Sequence, residues 1–320
     1  MLIFWIIVFI FSLAALVKGA GWLIAGAEKI GLAAGLSPFI VGVTIVGFGT
    51  SFPELVSSLA AALRGVTEVV AANAIGSNIA NILLVVGISA IIGKRLVVSK
   101  SLIDLDLPLL AISTVLLLGI VWDRQITFGE SVLMIVTYGF YLLYAFFHKD
   151  PDDSPGLTDV FALGKETFIR PKFEAKDFVL LAAGILGLVV GAKYLVDALI
   201  NLSAILNVGA GVITITAVAV GTSLPELLVS AKAALQKKSE IALGNVLGSN
   251  VFNAFVVIGL PGLFRGLEVD QQTFAIGVPA MVLATLLFVI SGISKNIYIW
   301  EGAFYLSLYV LFLAKLFSWF

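Results

Sequence analysis

Ten stretches of roughly twenty mostly apolar residues, parted by short polar breaks, run through this chain, and a membrane-spanning α-helix needs about 20 such residues. They fall near 2–24, 37–63, 68–93, 101–121, 126–147, 176–205, 209–235, 240–263, 272–292 and 297–318. Of the 320 residues, 60% are hydrophobic and only 12% charged, against about 25% charged in soluble domains. A soluble fold would expose large apolar patches, whereas a bilayer hides them. The expected fold is therefore an all-α membrane protein of ten transmembrane helices.

Composition removes several functions. Without cysteine there is no disulfide, thiolate metal site or cysteine nucleophile. The single histidine, His148, lies beside Lys149 and Asp150 in the longest loop, where a solvated role is expected. Zinc hydrolases and histidine triads are thereby excluded. The net charge of −1 offers no basic face for nucleic acid. Asp104, Asp106 and Asp197 are the other acids near spans, and the first two sit at a helix end with no nucleophile partner, so no enzyme is expected. No cofactor is expected either. Residues 1–17 lack a basic residue and the apolar pattern continues past Lys18 through Gly19–Gly26, which predicts a permanent first helix rather than a cleaved signal.

With ten helices, both termini share one side. Alternate loops collect thirteen Lys and Arg on one side (Lys29, Lys94, Arg95, Lys100, Lys149, Lys165, Arg170, Lys172, Lys176, Lys232, Lys237, Lys238, Lys295) and four on the other (Arg64, Arg124, Arg265, Lys315). The positive-inside rule then places both termini outside the cytoplasm. The one long connection, 148–175, carries Pro151, Pro155 and Gly156 and reads as a cytoplasmic linker between an N-terminal half, 1–147, and a C-terminal half, 176–320.

The halves are related. Residues 41–87 align with 213–259 at a constant offset of 172, without a gap, and 20 of the 47 positions are identical. Shared residues include Thr44/Thr216, Gly49/Gly221, Thr50/Thr222, Ser51/Ser223, Pro53/Pro225, Glu54/Glu226, Ser58/Ser230, Asn73/Asn245, Gly76/Gly248, Ser77/Ser249, Asn78/Asn250 and Asn81/Asn253. These are polar or small residues, poor in lipid contact. Five helices per half is an odd number, so equivalent helices cross in opposite directions. This predicts an inverted-topology repeat with its site at mid-membrane.

The repeated segments carry the chemistry. In G-T-S-F-P-E (49–54) and G-T-S-L-P-E (221–226), Pro53 and Pro225 are expected to break helices 2 and 7. The carbonyls of Val46 to Phe48 and Val218 to Val220, centred on Gly47 and Ala219, then need partners that hydrocarbon cannot supply. The hydroxyls of Thr50, Ser51, Thr222 and Ser223 join them. Glu54 and Glu226 follow, and each charge at mid-bilayer costs about 2.5–3.5 kcal/mol on insertion scales. Arg64 lies ten residues on and Lys232 is expected to snorkel toward the cytoplasm, so mobile cations are the expected partners. In the next helices, Asn73, Ser77 and Asn81 make one face, repeated by Asn245, Ser249 and Asn253. Ser77, Asn81, Ser249 and Asn253 are assigned to the site. Asn73 and Asn245, nearer the helix start, are assigned to helix–helix bonding. An all-oxygen site with two carboxylates suits one divalent cation, calcium better than magnesium, or two monovalent ones.

At these residues the sequence resembles the cation/calcium exchanger superfamily, in particular its sodium/calcium exchanger branch. The two G-T-S-x-P-E segments and the later N-x-x-G-S-N-x-x-N segments resemble that family's two alpha repeats. The resemblance implies an antiporter of calcium and sodium ions working by alternating access, with helices 1 and 6 sliding past a core of broken helices 2, 3, 7 and 8. It implies Glu54 and Glu226 as central ligands and Thr50, Ser51, Ser77, Asn81, Thr222, Ser223, Ser249 and Asn253 as supporting ones. A monomer in the bilayer is expected. Many relatives carry aspartate where this chain has Asn81 or Asn253, which leaves stoichiometry and potassium dependence open. A proton/calcium exchanger of the same superfamily and an oxygen-lined channel are the alternatives.

Overall fold

In the computed structural model, residues 2–98, 103, 106–147, 174–205 and 223–317 are described. They form ten helices: α1 Leu2–Ala33, α2 Pro38–Leu63, α3 Glu68–Gly93, α4 Leu107–Ile120, α5 Phe128–Phe147, α6 Ala175–Ile205, α7 Leu224–Leu235, α8 Ser239–Gly262, α9 Thr273–Ile293 and α10 Ile299–Leu316. Eight of them (α1, α2, α3, α5, α6, α8, α9 and α10) are long and apolar enough to cross a membrane. The expected first span ends at 24, but α1 continues to Ala33. Its charged end is held rather than left at an interface: Lys29 pairs with Asp177 of α6 at 3.3 Å, and Glu28 with Lys238 of the α7–α8 turn.

Helix α8 is buried through almost all of its length, whereas α1 and α10 turn Ile3, Phe4, Ile7, Phe11, Trp300 and Phe304 outward. Those side chains match hydrocarbon, not water. Helices α1 and α6 pack closely because glycines face each other. A Cβ on Gly19 would press on the backbone of Gly184 and Leu188, and one on Gly191 would press on Leu16. Small residues of this kind let helix backbones approach in a bilayer, where packing rather than the hydrophobic effect drives association.

Four short strands lie in the connections: β1 Arg95–Val97, β2 Gln125–Ile126, β3 Leu267–Glu268 and β4 Asn296–Tyr298. β1 pairs with β4 and β2 with β3, both antiparallel. Their register follows the sequence offset. Arg95 faces Tyr298, and the residues 172 positions away, Leu267 and Ile126, face each other too. Each ribbon joins one half of the chain to the other.

The helix breaks take a different form from the one expected. α2 runs unbroken through Pro53 and widens instead at Gly42–Val46, a π-type turn. The proline removes one amide donor, and neighbouring helices and hydroxyls can satisfy the carbonyl thus freed. Wide turns also begin at Asn81 in α3 and at Asn253 in α8, equivalent positions in the two halves. Such single wide turns recur at functional sites, because they insert a residue and re-aim the ladder around it. For α7, Pro225 lies in the first turn of the described helix, where a missing amide hydrogen is harmless.

Candidate ion-binding site

α2 lies against the middle of α8 because both carry glycine where they touch. A Cβ on Gly248 would strike the Val43 backbone, and one on Gly47 would crowd the amide of Ser249. This approach brings the polar side of α2 onto α8. The Thr50 hydroxyl is 3.0 Å from Asn245 Oδ1, 3.2 Å from the Gly47 carbonyl and 3.3 Å from the Ser249 hydroxyl. The Ser249 hydroxyl in turn reaches the Gly47 carbonyl at 3.4 Å. Four oxygens from two helices, α2 and α8, therefore share two hydroxyl protons.

Ser51, one residue on, donates to Glu226 Oε1 at 2.9 Å. The carboxylate of the second half is thus bonded by a hydroxyl of the first. Glu54 and Glu226 lie close enough for their charges to interact, and both are buried. Neither has a lysine or arginine partner among the described residues. Both carboxylate oxygens of Glu54 and Oε2 of Glu226 have no hydrogen-bond partner. The Ser77 hydroxyl, Asn81 Oδ1 and both polar atoms of Asn253 are also buried and unpartnered. Buried polar groups without partners are rare, and each asks for an explanation such as an ion or water. Among the described residues eight side-chain oxygens share that condition: six belong to Glu54, Glu226, Ser77, Asn81 and Asn253, and the other two to Asn78 and Ser89.

The remaining expectations fall as follows. Asn73 donates to Ser58 at 3.0 Å and to the Glu54 carbonyl at 3.4 Å. Asn245 does the same with Ser230 at 2.8 Å and the Glu226 carbonyl at 3.4 Å. These amides tie each glutamate-bearing turn to the next helix. Ser223 is buried and, with Ser77, Asn73, Thr273 and Tyr309, lines a cavity of about 430 Å³ whose other walls are apolar. Thr222 and Ala219, with the carbonyls of Val218 to Val220, lie outside the described residues, as does His148. The Lys232 ammonium reaches the Val17 carbonyl of α1 at 2.8 Å, in the space left by Gly21.

Two residues were not assigned from sequence. Asn78 donates to the Asn250 carbonyl at 3.1 Å, and Asn81 donates to Asn250 Oδ1 at 3.1 Å. Their signal was present, since Asn78 and Asn250 are identical across the repeat.

The profile of the family described as "Sodium/calcium exchanger protein" matches residues 4–147 and 176–318. The chain belongs to the sodium/calcium exchanger family. Among the members of this exchanger family, it is 33% identical over 348 aligned positions to the sodium/calcium exchanger MaX1 of Methanosarcina acetivorans, covering 97% of this chain and 98% of that one. An uncharacterised membrane protein of Methanocaldococcus jannaschii is 32% identical, with 99% of each chain covered. The fold is similar to that of the sodium-calcium exchanger NCX_Mj soaked with 2.5 mM Na+ and 0.1 mM Sr2+, at a TM-score of 0.80 and 30% identity, over 98% of this chain and 99% of that one. The multi-pass helical architecture of the exchanger family is thus shared along the full chain.

Proposed function

We propose that this protein exchanges calcium for sodium across the membrane, through one oxygen-lined site visited alternately from each side. The observation that carries this reading is the buried pair Glu54 and Glu226, the second held by Ser51, with three carboxylate oxygens left unpartnered and, among the described residues, no basic residue bonded to either. Two negative charges balance one calcium ion or two sodium ions. Emptied, the pair would hold uncompensated charge in a low dielectric, which resists reorientation of the unloaded protein. That is the minimum requirement of an exchanger as opposed to a leak.

Glu54, Glu226, Thr50, Ser51, Ser77, Asn81, Ser249, Asn253 and the Gly47 carbonyl form the proposed site, with Ser223, Thr222 and Ala219 completing it from the second half. The cavity that reaches Ser77 and Ser223 supplies a route to it. The offset-matched strand ribbons and wide turns support an inverted repeat of halves 1–147 and 176–320 about a two-fold axis in the membrane plane. Loop charges favour extracytoplasmic termini and a cytoplasmic 148–175 linker, and a single chain contains every group of the site.

Purified protein in liposomes tests the coupling ion. Calcium uptake should follow an outward sodium gradient and ignore a pH gradient of equal size. Uptake driven by protons alone would assign the chain to proton/calcium exchange. Uptake with no counter-ion would make it a channel.

A further inference from the structure

We infer that Asn250 is a positioning residue: it turns the amide of Asn81 so that its oxygen, and not its nitrogen, is offered to the transported ion. This rests on the reading of Asn81 as an ion ligand given above. Asn81 Nδ2 donates to Asn250 Oδ1 at 3.1 Å, which leaves Asn81 Oδ1 buried and without a protein partner. An amide has two unlike ends. With its nitrogen occupied by Asn250, Asn81 presents an acceptor, which a cation binds. Turned over, it would present an NH₂ group, which a cation rejects.

Asn250 is itself anchored. It is 1% exposed, and its backbone carbonyl accepts the Asn78 amide at 3.1 Å. The backbone at Asn250 is therefore tied to α3, the helix that carries Asn81, while its side-chain Nδ2 is buried and has no partner. The equivalent arrangement is missing in the other half. Asn78, the repeat mate of Asn250, spends its amide nitrogen on that backbone carbonyl and makes no bond to Asn253, whose two polar atoms are both unpartnered. Two ligands that look identical in sequence thus differ: Asn81 is oriented by the protein and Asn253 is left to be oriented by the ion.

A double-mutant cycle on the full-length protein tests this, with calcium affinity read by calorimetry in sodium-free buffer. Residues that orient a metal ligand typically change affinity about 10–100-fold when removed. Asn81→Ala and Asn250→Ala should each weaken calcium binding by about tenfold, and the double variant should be no weaker than Asn81→Ala alone. Should Asn250→Ala weaken binding equally in the wild-type and Asn81→Ala backgrounds, the positioning role is wrong. Should Asn81→Ala leave affinity unchanged, the ligand assignment beneath it is wrong, which is a separate result. Asn250→Asp, which keeps the acceptor, guards against misfolding of the alanine variant: it should bind at least as tightly as wild type, and weaker binding overturns the proposal. Asn78→Ala and Asn253→Ala form the control cycle and should show no coupling, because no bond joins them.

Discussion

Ser51 donates its hydroxyl proton to Glu226 across 175 residues of sequence, at 2.9 Å, while the carboxylate of Glu54, three residues from Ser51 on the same helix, receives no hydrogen bond. The two glutamates are equivalent in the repeat but not in their surroundings. A hydrogen bond to a charged group contributes about 1.5–3 kcal/mol. Ser51→Ala should therefore weaken half-saturation for calcium by roughly tenfold or more, by releasing Glu226 from its fixed orientation. Transport assays over a calcium series, with sodium held constant, provide the check.

Neutralising either glutamate should act on stability and on transport in opposite directions. Without ions, each buried carboxylate carries a desolvation penalty of several kcal/mol. Glu54→Gln and Glu226→Gln should thus raise the melting temperature of the ion-free protein while removing the calcium-induced increase seen in wild type. Thermal unfolding in detergent, with and without calcium, separates the two effects. A lowered ion-free melting temperature would mean that the carboxylates serve the fold.

At Gly248 the backbone of α8 meets Val43 of α2 so closely that a methyl group has no room. Gly248→Ala should cost about 1–3 kcal/mol, the usual penalty for overpacking. It should also lower calcium affinity, because Thr50 and Ser249 meet across that same contact. Denaturant unfolding and calcium titration should move together.

Outside the spans, Asp270 precedes α9 and accepts the amides of Gln272 and Thr273, both at 2.9 Å. Partial burial pushes its carboxyl up, but these bonds and the Thr273 hydroxyl outweigh it and hold the group below the ordinary carboxylate value. A carboxyl lowered by folding stabilises the protein above its unfolded value, near pH 3.9, and that contribution fades as pH falls toward the folded value. Asp270→Asn should keep the cap and flatten this acid dependence below about pH 4. Asp270→Ala should lose about 1 kcal/mol at neutral pH. Unfolding followed from pH 6 to pH 3 distinguishes the two variants.

Much of this was legible in the sequence because the bilayer leaves few choices. A polar residue kept twice at one offset, in helices that otherwise face lipid, has to face its neighbours. Hence Thr50, Ser51 and Ser249 could be grouped before their contacts were seen, whereas Asn245, set apart with Asn73 as a helix tie, also accepts the Thr50 hydroxyl. What was not legible was backbone detail. Pro53 predicts a break, but whether a helix breaks or widens depends on the partners available to a few carbonyls, and here the widening falls at Gly42–Val46. The reach of α1 to Ala33 depends on ion pairs with residues about 150 and 210 positions away. The bond from Lys232 to a carbonyl of α1 was hidden for the same reason, since it forms opposite a glycine notch. Asn250 was passed over although it matches Asn78 across the repeat, because identity alone does not say which residue binds and which orients.

The central claim is that Glu54 and Glu226 hold one calcium ion jointly and that sodium competes for the same place. Equilibrium binding of radioactive calcium to purified protein tests it most directly, in wild type, Glu54→Gln and Glu226→Gln, over a range of sodium concentrations. The account predicts one saturable calcium per chain in wild type, displaced by sodium with a dependence steeper than first order, and none in either variant. Calcium binding that survives both substitutions, or that sodium leaves untouched, would contradict it.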